Sequence, residues 1–257
     1  MKEPFYRYFI RSGWPERVET PASISAKFLS LSRVDPVFSI WEILDRRKVS
    51  SLPLAAARPR LAAIIEDNVT RDDFDKPSVV YGYHANAIAG EFRQPRSVSF
   101  KVKAGGRYEN GTRLEFGEYD VPPDLAIVTY PLFKAALLAI NMVWGAPWAC
   151  AQAFRSGAVA VPVDFGGRQG SRIDSVTQVP VDPTFPQSIF HIPWITYLAS
   201  PLTVGLRLAP EIFAERTPDG GLLMTATEDR LDPTNPEHVQ RARVLSEIMI
   251  ACAGRSL

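Results

Sequence analysis

Cysteine and histidine are scarce in this chain, with two of the first and three of the second in 257 residues. Cys150 and Cys252 both lie among apolar neighbours and lack partners at metal-ligand or redox-motif spacing, so they read as small buried hydrophobes. His84, His191 and His238 are too scattered to make a zinc site without a nearby Cys or carboxylate ligand. A Gly-x-Ser-x-Gly nucleophile elbow is missing. The glycine cluster at 166–171 has neither the lysine nor the spacing of a phosphate-cradling loop, and reads as a turn. The acid pairs Asp72-Asp73 and Glu228-Asp229 show no calcium-loop pattern. These absences leave the sequence with no assignable catalytic residue, metal site or cofactor.

Net charge is also nearly lacking, since 29 basic residues face 28 acidic ones for a formal +1. Such a balance gives no whole-molecule field to draw in nucleic acid or an anionic membrane, and it excludes a bulk nucleic-acid binder. No apolar run reaches the roughly 20 residues of a membrane span. The longest candidate, 130–144, carries Lys134 and Asn141 inside it and reads as a core helix. Charges interrupt the opening MKEPFYRYFIRSGWPER too often for the apolar run of a secretory signal, which predicts a cytoplasmic location. Nor is there a Gly/Ser linker, charge block or low-complexity tract on which to cut the chain, which predicts a single domain over 1–257.

What the sequence does have is a dominant apolar stretch, 124–155. Thr129 caps a helix with Pro131 in its first turn, and Phe133, Leu137, Ile140 and Trp144 recur at helical spacing. Gly145 and Pro147 end it, and 148–154 reads as a strand folding back onto the same core. Around this helix the pattern predicts a strand at 5–10 and a helix from Thr20-Pro21 to about Arg33. It predicts a strand at 37–44, and a short helix from Arg58-Pro59 closed by Glu66, Asp67 and Asn68. Runs at 79–89, 97–103 and 112–116 alternate with period two and predict an antiparallel meander.

Further on, Pro162 marks 159–165 as an edge strand. The dense prolines from Pro180 to Pro201 predict a clamped surface loop without long regular elements. Thr217-Pro218-Asp219-Gly220-Gly221 sets a hairpin between strands at 211–216 and 222–228, and Asn235-Pro236 starts a last helix running to about Ala253. Helices mixed with antiparallel runs, without regular alternation, give an α+β fold: an antiparallel or mixed sheet packed with several helices, one of them central and buried at about 130–144.

Local charge is uneven. Segment 66–75 holds five acids (Glu66, Asp67, Asp72, Asp73, Asp75) and one base, Arg71, while 211–237 holds seven acids against Arg216 and Arg230. Acidic surfaces of this kind steer a basic partner and cover its active site. The candidate contact residues are therefore Glu66, Asp67, Asp72, Asp73 and Asp75, with Glu228, Asp229 and Asp232 as a second patch.

Four segments taken together, DPVFSIWEIL (35–44), AIVTYPLFKAALLAINMVWGAPWACAQAF (126–154), IFHIPWITYL (189–198) and ERTPDGGLLMTATEDRLDPTNPEHVQRA (215–242), resemble the immunity protein 52 family. The resemblance implies an α+β protein without catalytic residues. It further implies a partner, a cognate polymorphic toxin encoded nearby, of the restriction-endonuclease-like nuclease kind and associated with type VI secretion. The expected activity is stoichiometric occlusion of that toxin. Two other classes stand beside it: an adaptor or chaperone that holds an effector during secretion, and an enzyme acting on the toxin through His84 or His191 with a nearby carboxylate.

Overall fold

The computed structural model describes residues 5–38, 41–45, 50–69, 71, 76, 82–91, 94–107, 110–117, 121–155, 164–165, 168–169 and 191–253. In chain order the elements are β1 (Tyr6–Gly13), α1 (Pro21–Leu31), β2 (Trp41–Asp45), β3 (Ser50–Pro53), α2 (Leu54–Ala57), α3 (Leu61–Asp67), β4 (Tyr83–Ala89), β5 (Val98–Ala104), β6 (Gly111–Phe116) and α4 (Tyr130–Trp144). They continue with β7 (Trp148–Arg155), β8 (Asp164–Phe165), β9 (Arg168–Gln169), β10 (His191–Leu198), α5 (Ser200–Thr203), β11 (Phe213–Arg216), β12 (Leu222–Thr225) and α6 (Pro236–Ala253).

Ten strands form one sheet in the order β11-β12-β10-β7-β1-β6-β5-β4-β2-β3, and every described pairing in it is antiparallel. The β4-β5-β6 meander is the one the alternating runs predict. Helices make the fold α+β, and among the described residues none is long and apolar enough to cross a membrane.

Helix α4 lies over the middle of the sheet because its two ends are fixed chemically. Thr129 Oγ1 accepts from the Leu132 amide, Pro131 fits the first turn, and Gly145 closes the helix in the left-handed region at φ 55°. Phe133, fully buried, then meets Phe116 of β6 at 4.5 Å between ring centroids, Trp194 of β10 at 5.0 Å and Tyr8 of β1 edge-on at 6.4 Å. At the far end Trp144 stacks on Trp14 at 5.2 Å. Helix α1 packs against α4 and α3, and α3 against β4, so these three cover one face.

Adjacent strand residues point to opposite faces, and this assigns α6 to the other side. Tyr197 reaches Asn141 of α4, whereas Thr196 Oγ1 contacts Met249 Sδ of α6 at 3.4 Å and the buried Cys150 Sγ at 3.6 Å. Burial pushes the Cys150 thiol up to about 12, which keeps it an inert core group.

Two expectations need correction. The proline-rich stretch contains a full strand, since β10 runs eight residues between β7 and β12. Pro193 is accommodated because the register against β7 shifts between Pro193 and Ile195, a bulge that places Trp194 in the aromatic cluster and removes the need for a proline N–H. Likewise 37–44 is not one strand. Pro36–Phe38 forms a 3₁₀ turn and the strand begins at Trp41, which puts Phe38 flat against Trp41 at 5.8 Å so that both rings are buried. Residues 79–81, 159–163, 170–190 and the side chain of Cys252 lie outside the described residues.

Both sheet edges are short. β11 is four exposed residues, with Glu215 paired to Lys134 of α4 at 2.7 Å, and β3 is four residues ending in Pro53. Because Phe133 joins three strands to α4, Phe133→Ala is expected to lower stability by about 3–5 kcal/mol, read from the midpoint of urea unfolding. A loss below about 1 kcal/mol would mean that the cluster does not hold the helix on the sheet.

Candidate functional site

The structure separates the described acids of the first segment, Glu66 and Asp67, from the second patch. Glu66 and Asp67 are exposed at the end of α3, whose Asn68 Nδ2 donates to the Leu44 carbonyl of β2 at 3.1 Å. Asp72, Asp73 and Asp75 lie outside the described residues. Glu228, Asp229 and Asp232 follow β12, and six strands (β10, β7, β1, β6, β5, β4) stand between β12 and β2. The sheet does not bring Glu66 and Asp67 together with the second patch.

Around the second patch three loops meet at one end of the sheet. Register carries this directly: Val98 pairs Phe116, Phe116 pairs Tyr8, Tyr8 pairs Ala153, and Ala153 pairs Ile192. The loops after β4, after β6 and after β12 therefore leave the sheet on the same side. The first two are tied by Asp124 N to Pro95 O at 2.7 Å, Gly117 N to Ser97 O at 3.0 Å, and an Arg96 Nε to Asp124 Oδ2 ion pair at 2.7 Å. Glu91, Gln94, Pro95, Arg96 and Asp124 line a depression of about 610 Å³ between them.

The third loop, 226–235, is anchored from beneath. Ala226 N donates to Trp194 O and Trp194 Nε1 to Thr227 O, both at 2.9 Å, while Tyr8 OH donates to Leu231 O at 2.8 Å. Leu231 is itself fully buried. Within the loop the Asp232 amide donates to His238 Nδ1 at 3.0 Å, and Asp232 Oδ1 accepts from both the amide and the hydroxyl of Thr234. Arg230 Nη1 reaches the Leu125 carbonyl at 3.4 Å, a long contact that spans to the second loop. Such a loop is ordered before any partner arrives, which lowers the cost of binding.

Its surface is apolar at one point and acidic around it. Leu125 is 44% exposed, and Glu91, Glu228, Asp229 and Asp232 are exposed with Asp124 half-buried, against Arg96 and Arg230. Leu125, Asp124, Arg96 and Glu91 are the members that sequence reasoning missed. They are distant in the chain from 228–232, and only the strand register makes them neighbours. The charged cluster around Glu19 supports the fold instead. Glu19 holds Arg17 at 2.8 Å together with Lys27 and Ser23; burial pushes its carboxyl up, but these partners outweigh it and the net shift is down.

Of the histidines, His238 serves the loop as described, His84 is half-buried on β4, and only the backbone of His191 in β10 is described. Among the described residues no three His, Cys, Asp or Glu side chains gather in a way that would hold a metal.

Hydrogen bonds from the Thr234 hydroxyl and amide hold the Asp232 carboxyl below its ordinary value despite some burial, with His238 and Arg230 adding to the effect. A depressed carboxylate pKa contributes stability that is present above the unfolded value near 3.9 and is lost as pH falls through the folded one. Carboxyl carbon NMR is expected to show Asp232 titrating below the ordinary range, and Thr234→Ala to move that midpoint upward. A midpoint unmoved by the substitution would remove Thr234 as the cause.

No protein-family model matches this chain. None of the curated proteins matches it either. Among solved structures it is similar to the Pseudomonas aeruginosa T6SS protein PA0821, with 13% identity and a TM-score of 0.50 over 96% of this chain and 76% of that one. At that identity the likeness is one of fold.

Proposed function

We propose that this protein is an immunity protein of the type VI secretion setting, binding a cognate toxin one-to-one and blocking it without turnover. The observation that carries the reading is the loop face around Leu125. It is a rigid, hydrogen-bonded surface with an apolar centre and an acidic margin, suited to the basic cleft of a nuclease. The sequence resemblance to immunity protein 52 points the same way. So does the fold likeness to a protein described as belonging to the type VI system. In this reading Glu228, Asp229 and Asp232 steer the encounter, Leu125 supplies the buried contact, and Glu66 and Asp67 stand too far off to share it.

The mechanism follows from preorganisation. Tyr8, Trp194 and Leu231 hold the acids in place, so the partner pays little ordering entropy beyond its own. Charge accelerates association, while the close-packed centre sets the lifetime of the complex.

Co-expression with the toxin encoded nearby is expected to rescue growth and to give a co-purifying complex. Toxin that binds and stays fully active would leave an adaptor instead, and protection at substoichiometric amounts would leave an enzyme. The double reversal Glu228→Lys/Asp229→Lys is expected to slow association about ten-fold at low salt and much less at high salt, with thermal stability unchanged. Leu125→Arg is expected mainly to speed dissociation, by about ten-fold or more. If association and dissociation rates stay unchanged in both variants while the complex still forms, the toxin is held by another face.

A further inference from the structure

The second face of the sheet, on the side of α6 and away from α4, carries a concave site of about 460 Å³ over β2, β4, β5 and β6. Register builds it. Asn86 pairs Lys101, and Lys101 pairs Arg113, so these three side chains form one row across adjacent strands. Ser99 and Glu115 form the next row on the same face. Lys101 directly opposite Arg113 is a like-charge pair, which destabilises a sheet unless an anion compensates it. Glu115 supplies part of that compensation and is fully engaged. Its Oε1 accepts from Arg7 Nη1 at 2.7 Å and its Oε2 lies 3.1 Å from Arg113 Nε. Lys101, exposed at the rim, adds a positive charge that has no ion-pair partner among the described residues.

Two further features show that the site is organised. Both guanidiniums are fixed on aromatic rings, Arg113 at 4.9 Å over Phe9 and Arg7 at 5.2 Å over Phe154. Asn86 is only 6% exposed and lines the cavity, yet its Nδ2 has no hydrogen-bond partner among the described residues. A buried amide donor left unpaired costs on the order of 1–3 kcal/mol, which an acceptor bound in the cavity would recover.

We propose that this cavity is a binding site for a small soluble phosphate-bearing molecule. Its oxyanion would accept from Asn86 Nδ2 of β4, Ser99 Oγ and Lys101 Nζ of β5, and Arg113 of β6, donors that three adjacent strands present on one face. The volume exceeds that of a bare phosphate and lies within the roughly 300–1,000 Å³ of small-molecule sites. The site lies on the sheet face and shares Gly117 with the loops at that end, but it does not depend on the toxin reading.

The test is titration of the full chain with inorganic phosphate, and separately with succinate, followed by amide NMR shifts on β4, β5 and β6 and by calorimetry. Saturable binding of phosphate localised to Ser99, Lys101 and Arg113 is expected, weaker by about ten-fold in both Lys101→Glu and Asn86→Asp, each of which removes a donor and adds a negative charge. Because Lys101 is exposed, its variant retains the fold and keeps the test decisive should Asn86→Asp disturb the sheet. Absence of saturable binding overturns the site, as does equal affinity in both folded variants. Tighter binding of succinate than of phosphate overturns the phosphate class.

Discussion

Helix α4 is held on the middle of the sheet by the contact of one phenylalanine with three strands. Phe133 sits where β1, β6 and β10 present Tyr8, Phe116 and Trp194, and those strands are joined through β7 into the middle of the sheet. Two of the same residues then act beyond the core, since Tyr8 and Trp194 hydrogen-bond the loop after β12. One aromatic cluster thereby supports the fold on one side and the candidate interface on the other. Burial pushes the Tyr8 hydroxyl up to about 12, which keeps it protonated and able to donate to Leu231 at any ordinary pH.

The two faces of the sheet divide the chemistry. The face under α1, α3 and α4 is almost wholly apolar, with Leu114, Phe100 and Ile43 fully or nearly fully buried. The opposite face is covered by α6 near β10 and turns polar farther along, where Arg7, Glu115 and Asn86 are all buried. Buried charges at such a position persist only where they are paired, and the Arg7–Glu115–Arg113 group meets that condition while leaving Asn86 available.

How much of this was readable beforehand depends on whether the signal was local. Helix α4 was legible because its cap, its proline and its terminal glycine are all within two residues of its ends, and the meander was legible because alternation needs only neighbours. The hairpin at 217–221 was legible for the same reason, and its Asp219 carboxyl accepts from Thr217, Tyr197 and the Gly221 amide. β10 was not legible, because the bulge that absorbs Pro193 is a property of its pairing with β7 and not of its own sequence. The acids of 228–232 could be seen as charge. Their neighbours Leu125 and Asp124 could not be found, nor could the row of Asn86, Lys101 and Arg113, because each arises only when distant strands fall into register.

The ends of the sheet carry a last implication. A ribbon of ten strands left open on both sides would be a template for copying itself into a fibre, yet here the outermost strands are a four-residue segment tethered by a lysine–glutamate bridge and another that stops at a residue with no amide hydrogen to give. Self-templated growth is therefore blocked at each rim.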